Sequence, residues 1–215
     1  MPTPLNTAIT RLAELGGISD SPNHLVRTFL SPASCQAARK ILEWMTKIGM
    51  ESSQAPDGTI RGILPGANPH AAPLLIGSHY DTVIDAGKYD GALGIIAALA
   101  ALEILQQEKA TLPYPVHLLA FSDEEGIRFQ STYLGSRSII ASLDAETLAA
   151  RDSTGITVLQ AITTESPLPD ADPIRYAPHQ CRGYVELHIE QGRVLEEAGE
   201  PACVVTSIAG QSRLT

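Results

Sequence analysis

The sequence predicts a three-layer α/β domain: a mixed, largely parallel sheet with helices on both faces. Three observations carry this expectation. Residues 116–121 form a continuous apolar run of strand length, the pattern of a strand covered on both faces. Helix-periodic segments alternate with short strand-like runs along the chain, the order from which α/β layers are built. The 215 residues are 44% hydrophobic and 18% charged, enough for one sizeable core or for one domain with the stub of a second.

The elements follow in order. Residues 3–15 have helical spacing and stop at Gly16 and Gly17, and residues 34–48 form a second amphipathic helix ending before Gly49. Residues 60–64 and 73–78 are expected as strands, separated by the Pro, Gly and Asn turn signals of 65–69. A long helix is expected over 91–108; its apolar part, 91–105, is shorter than a membrane span. After the 116–121 strand, helices are expected over 131–143 and 145–160, and a Pro- and Asp-rich loop over 163–178. Strands over 184–189 and 202–208 flank a helix at 191–198.

Composition limits function. Fifteen basic against 24 acidic residues give a formal net charge of −9, which argues against nucleic acid or an anionic membrane as partner. Cys35, Cys181 and Cys203 are odd in number, widely spaced and without a CxxC pair. That argues against a disulfide framework and a zinc ribbon and fits a reducing compartment. Residues 1–10 lack a basic patch followed by an apolar core, so no signal peptide is expected and the location is expected to be cytoplasmic.

Chemistry-bearing residues gather after three apolar runs: His79 and Asp81 after 74–78, Glu124 and Glu125 after 116–121, and His188 after 184–187. In open α/β sheets ligands bind outside the C-terminal strand ends. Asp90 precedes the long helix and belongs to a loop near that edge. Two imidazoles and several carboxylates make a nitrogen and oxygen donor set suited to zinc or manganese. Asp81, two residues from His79, can stand behind its imidazole and fix the tautomer. Glu124 and Glu125 are adjacent, so their side chains diverge; one can bind metal while the other handles protons. Taken singly, an Asp-Glu-Glu run is a solvated face and Asp-Gly a turn. The joint pattern at three strand ends points to a site. No G-x-S-x-G, Walker or G-x-G-x-x-G motif competes with it.

The motifs extend further. Gly77-Ser78-His79-Tyr80-Asp81-Thr82-Val83, Ala86-Gly87-Lys88-Tyr89-Asp90-Gly91 and Phe121-Ser122-Asp123-Glu124-Glu125-Gly126-Ile127-Arg128-Phe129 come first. Leu134-Gly135-Ser136-Arg137 and Glu186-Leu187-His188-Ile189-Glu190-Gln191-Gly192 follow in order. This set resembles the allantoate amidohydrolases and N-carbamoyl-L-amino-acid hydrolases, a branch of the dinuclear-zinc aminopeptidase and amidohydrolase superfamily. The resemblance implies two divalent ions, zinc or manganese. It implies His79 and His188 on one ion, Asp90 bridging both, and Glu125 on the second. It further implies Glu124 as general base toward the attacking water, Asp81 orienting His79, Gln211 contacting substrate, and a cis peptide at Asp90–Gly91. The implied reaction is hydrolysis of a linear, non-peptide C–N bond in a ureido or amidine substrate. Allantoate is expected first and an N-carbamoyl-L-amino acid second. In that family a lid and dimerisation domain follows the segment ending here, and a last metal-binding His comes after it. Residues 1–208 are therefore expected as the N-terminal part of the catalytic domain and 209–215 as the start of the lid. Full-length members are expected to be homodimers, and the chain by itself is expected to be inactive.

Overall fold

The computed structural model describes residues 3–208. In chain order these form α1 (Pro4–Gly16), α2 (Pro32–Lys47), β1 (Glu51–Gln54), β2 (Ile60–Leu64), β3 (Leu74–His79) and α3 (Ala92–Gln107). Then come β4 (Val116–Phe121), α4 (Leu134–Ile139), α5 (Ala145–Ala149), α6 (Val158–Thr164), β5 (Gly183–Val185) and α7 (Val194–Ala198). The first helices begin where capping chemistry dictates. Thr3 and Ser31 accept the amides of Asn6 and Ser34, and a proline occupies the first turn of each helix. Such a cap stabilises a helix by about 1 kcal/mol, and proline there gives up an amide that has no helical partner.

The sheet is mixed, with strand order β1-β2-β4-β3-β5. β1 pairs with β2 and β2 with β4 antiparallel, whereas β3 runs parallel to both β4 and β5. Residues of β4 alternate between two cores. Leu118 and Ala120 pack with Leu12, Leu15, Ile41, Ile95, Ile96 and Leu99 of the three long helices. Leu119 and Phe121 face the other way, with Leu75, Ile139 and Ile174. Burial on both faces is why the strand is apolar at every position but His117. The parallel trio β4-β3-β5 brings three C-terminal strand ends to one edge, where the candidate residues gather.

The loop after β3 is anchored from below. The Arg27 guanidinium, 1% exposed, donates to the carbonyls of Tyr80 at 2.7 Å and of Leu15 and Ile18, each at 2.8 Å. Main-chain and hydroxyl groups of Arg27 and Thr82 exchange two more bonds. Burial lowers the Arg27 pKa to about 10, against the opposing charge of Asp81.

Several expected elements differ. The 145–160 helix is two short helices, α5 and α6, around a turn. Asp152 there accepts the amides of Thr154 and Ile156 and the Thr154 hydroxyl, and Gly155 has φ +87°. Short polar side chains offering the backbone an alternative to the helix end it. The expected 131–143 helix is only Leu134–Ile139. The 184–189 strand ends at Val185, and 202–208 forms no strand among the described residues. β1 was not expected: Glu51-Ser52-Ser53-Gln54 has no apolar alternation and exists through its ladder to β2.

His117 makes one consequence testable. Its Nδ1 lies 2.6 Å from the Tyr176 hydroxyl. Burial, aided by the charge of Arg61, lowers its pKa from 6.5 to about 4. The unfolded chain therefore takes up this proton as pH falls through 6.5, while the folded one resists until about 4. Stability should fall across that window as pH drops. Urea unfolding at a series of pH values should show a shallower slope there for His117→Asn than for the parent.

Candidate metal centre at the strand ends

His79 closes β3, level with Phe121 of β4 in the parallel register. It is 2% exposed. Its Nδ1 lies 3.1 Å from the Asp81 carbonyl oxygen and 3.3 Å from Asp81 Oδ1. A proton on Nδ1 therefore serves Asp81 and leaves the Nε2 lone pair facing the site. Asp81 does more than hold the imidazole. Its Oδ1 accepts the Glu124 amide at 2.9 Å and its Oδ2 the Glu125 amide at 3.1 Å. One carboxylate thus sets the tautomer on β3 and the backbone of both glutamates beyond β4.

His188 arrives by register. Ile76 pairs with Val185, so a continued ladder would bring residue 188 level with residue 79. The two Nε2 atoms stand 3.4 Å apart and the rings stack at 27°. His188 Nδ1 lies 3.0 Å from the Ile189 carbonyl, so its Nε2 also offers a lone pair to the site. Asp90 Oδ1 is 3.3 Å from His188 Nε2 and 3.8 Å from His79 Nε2.

This arrangement fits a cation. With both Nε2 atoms unprotonated, two lone pairs face each other beside a carboxylate, an arrangement that needs a positive charge, supplied by a bound cation or by a proton on His79. Nitrogens each about 2.0–2.1 Å from a tetrahedral zinc are themselves about 3.3–3.4 Å apart, the separation observed. His79, Asp90 and His188 form one ligand-sized group, and His79, Glu124 and Glu125 form another. Asp90 and Glu125 share no such group among the described residues.

Electrostatics agree with a site short of positive charge. For His79, burial disfavours the imidazolium, but Asp81, Glu124 and Asp90 outweigh it and raise the pKa to about 9. Burial and then the Glu124 carboxylate raise Glu125 to about 7. Glu124 is raised in the same way, chiefly by burial. Two features were not singled out in the sequence. Asp123 is buried with no partner for Oδ2, and burial plus the Asp81 charge hold its carboxyl well above the usual range. Gln191 Nε2 approaches Asp90 at 3.3–3.4 Å. Asp123 lies inside the quoted acidic run, but only its tertiary burial distinguishes it from a solvated face. Gln211 lies outside the described residues.

The Asp90–Gly91 peptide was expected to be cis; it is trans. The chain reverses through φ rather than ω. Gly91 has φ +62° and ψ −52°, and the Ala92 amide reaches the Asp90 carbonyl at 2.6 Å, a γ-turn. A Cβ at Gly91 would lie 2.5 Å from His79 Nδ1. Gly91→Ala should therefore displace the imidazole as well as strain the turn. Metal titration of the folded variant should show binding weakened about 10–100-fold, the scale for disturbed ligand orientation; unchanged binding would contradict this geometry.

Comparison with known proteins places the chain in a family. Residues 75–207 match the model for peptidase family M20/M25/M40. An allantoate deiminase from Arabidopsis thaliana is 47% identical over 96% of this chain and 40% of its own length. An N-carbamoyl-L-amino acid amidohydrolase from Geobacillus stearothermophilus is 37% identical over 93% of this chain and 49% of its own. The crystal structure of a hydantoinase/carbamoylase family amidase from Burkholderia ambifaria aligns with a TM-score of 0.81 at 30% identity, covering 90% of this chain and 47% of that one. The chain thus spans 40–49% of the length of these relatives. Among the described residues no helix is long and apolar enough to cross a membrane. With its motifs, its strand-end site and a family match over more than half its length, this chain belongs to peptidase family M20/M25/M40, as a homologue of allantoate deiminases and N-carbamoyl-L-amino-acid amidohydrolases.

Proposed function

We propose that the complete protein hydrolyses a linear, non-peptide C–N bond in a ureido or amidine substrate, with allantoate as the preferred one. The supporting observation is the pair of facing Nε2 atoms, 3.4 Å apart beside the Asp90 carboxylate. Two divalent ions, zinc or manganese, would polarise the scissile carbonyl and stabilise charge developing on it. His79, Asp90 and His188 would hold one ion, Glu125 would help hold a second, and the Asp90 carboxylate would serve both. Glu124 accepts the proton of the attacking water and passes it to the leaving nitrogen. Asp81 keeps His79 in its Nδ1-protonated form and holds both glutamates in register. Gln211 contacts substrate. Residues 1–208 belong to the catalytic domain; a lid and dimerisation domain begins at 209–215 in a homodimeric, cytoplasmic enzyme.

The alternative substrate within the same chemistry is an N-carbamoyl-L-amino acid. The higher identity to the allantoate deiminase, 47% against 37%, favours allantoate. Ammonia release from each substrate by the complete protein, loaded with zinc or manganese, decides between them. A higher kcat/KM on allantoate is expected. A preference for the N-carbamoyl amino acid reverses the assignment, and activity on neither overturns it.

A further inference from the structure

β5 ends at Val185, paired with Ile76. His188 lies three residues beyond the last ladder pair, yet its Nε2 must meet that of His79 to within a few tenths of an ångström. Side chains take over where the ladder stops. Glu186 Oε1 accepts the Ser78 hydroxyl at 2.7 Å, one residue before His79. Glu186 Oε2 lies 2.7 Å from the Tyr184 hydroxyl, which also stands 3.1 Å from the Gly77 carbonyl. Ser78 is fully buried, so loss of this acceptor would strand its hydroxyl. The segment is also pressed against α3: a Cβ at Gly94 would collide with the Leu187 carbonyl oxygen and lie 2.7 Å from the Ser78 Cβ. Residues 184, 186 and 187 thus grip β3 and α3 immediately before His188.

We propose that Glu186 is a positioning residue that holds His188 in register with His79, replacing by side-chain bonds the strand ladder that ends at Val185. The role rests on the reading of His79, Asp90 and His188 as a metal centre. It requires hydrogen-bonding shape rather than charge. A glutamine in this place would accept the Ser78 hydroxyl through its carbonyl oxygen. Its amide would donate to the Tyr184 hydroxyl, which would then donate to the Gly77 carbonyl. The grip would remain whole without the negative charge. Alanine would break both ends of it.

Cobalt(II) provides a readout other than activity, because its visible absorption reports the ligand set and geometry. The 215-residue chain is titrated with cobalt(II) beside Glu186→Ala, Glu186→Gln, Ser78→Ala and His188→Ala. The thermal midpoint of each metal-free chain is recorded. Glu186→Ala should bind cobalt about 10–100-fold more weakly, the range for partners that orient a ligand, with an altered band and with the metal-free midpoint lowered only as far as the stranded Ser78 hydroxyl requires, a loss that Glu186→Gln restores. Ser78→Ala should show part of that loss. Glu186→Gln should restore the parent's affinity and band. A parent band independent of His188, or no band, overturns the metal-centre reading and this proposal with it. A His188-dependent band that Glu186→Ala leaves unchanged overturns the proposal alone. So does a Glu186→Ala loss matched by a lowered metal-free midpoint and not rescued by glutamine, which marks a general structural role.

Discussion

Glu124→Gln in the complete protein is expected to keep both ions and lose about 10²–10⁴ in turnover, the usual contribution of a positioned acid–base group. Glu125→Gln should instead lose metal, with activity falling because an ion is missing. The two residues are adjacent, and their amides are held by the two oxygens of one carboxylate, Asp81. Their backbones are fixed in common, so any difference between the variants arises from where the side chains point. Burial raises both carboxyls above their ordinary pKa, and Glu125 reaches about 7. Metal content after exhaustive dialysis, measured beside turnover, separates the roles. Full metal in Glu125→Gln with metal lost from Glu124→Gln would exchange the two assignments.

What the sequence revealed depended on where the information resides. The strands at 60–64 and 116–121 match their expected bounds because turn signals bracket both: Asp57-Gly58 and Pro65-Gly66 around the first, Pro113 and Pro115 before the largely apolar second. β1 was invisible because an edge strand of Glu, Ser, Ser and Gln takes its conformation from a partner rather than from its own pattern. The helix expected through 145–160 failed at Asp152, where local side-chain bonds outcompete helical ones. The site followed the same division. His79, Asp81, Glu124, Glu125 and His188 were legible because each stands just past an apolar run, and a parallel register turns that shared position into proximity. Glu186 and Asp123 were not. Their roles depend on partners from other strands, or on the lack of one, and no spacing within the chain encodes that. The Asp90–Gly91 peptide was expected to be cis and is trans. A glycine at positive φ achieves the reversal that a cis bond would have achieved at a cost of about 2.5–4 kcal/mol.

The 215-residue chain by itself is expected to release ammonia from allantoate and from N-carbamoyl amino acids far below the usual enzyme range of about 1–10³ s⁻¹. The ligand count sets this limit. The two ligand groups among the described residues share one imidazole, His79. Its Nδ1 is occupied by Asp81 and its Nε2 faces His188 and Asp90. A single Nε2 lone pair serves one ion, so a second ion near Glu124 and Glu125 would have carboxylates and, among the described residues, no nitrogen ligand of its own. Four-coordinate zinc with three protein ligands is the usual catalytic minimum, and the second group falls short once His79 is committed. Weak occupancy there removes part of the charge that stabilises the transition state, a contribution of several kcal/mol, and about 1.36 kcal/mol is tenfold in rate. His188 is itself exposed, so water screens the first ion as well. Titration calorimetry with zinc should therefore show one tighter site and one much weaker site in this chain, and two comparable sites in the complete protein. Two tight sites with turnover in the ordinary enzyme range from a monodisperse preparation would overturn this account and locate the missing ligand among residues 1–215.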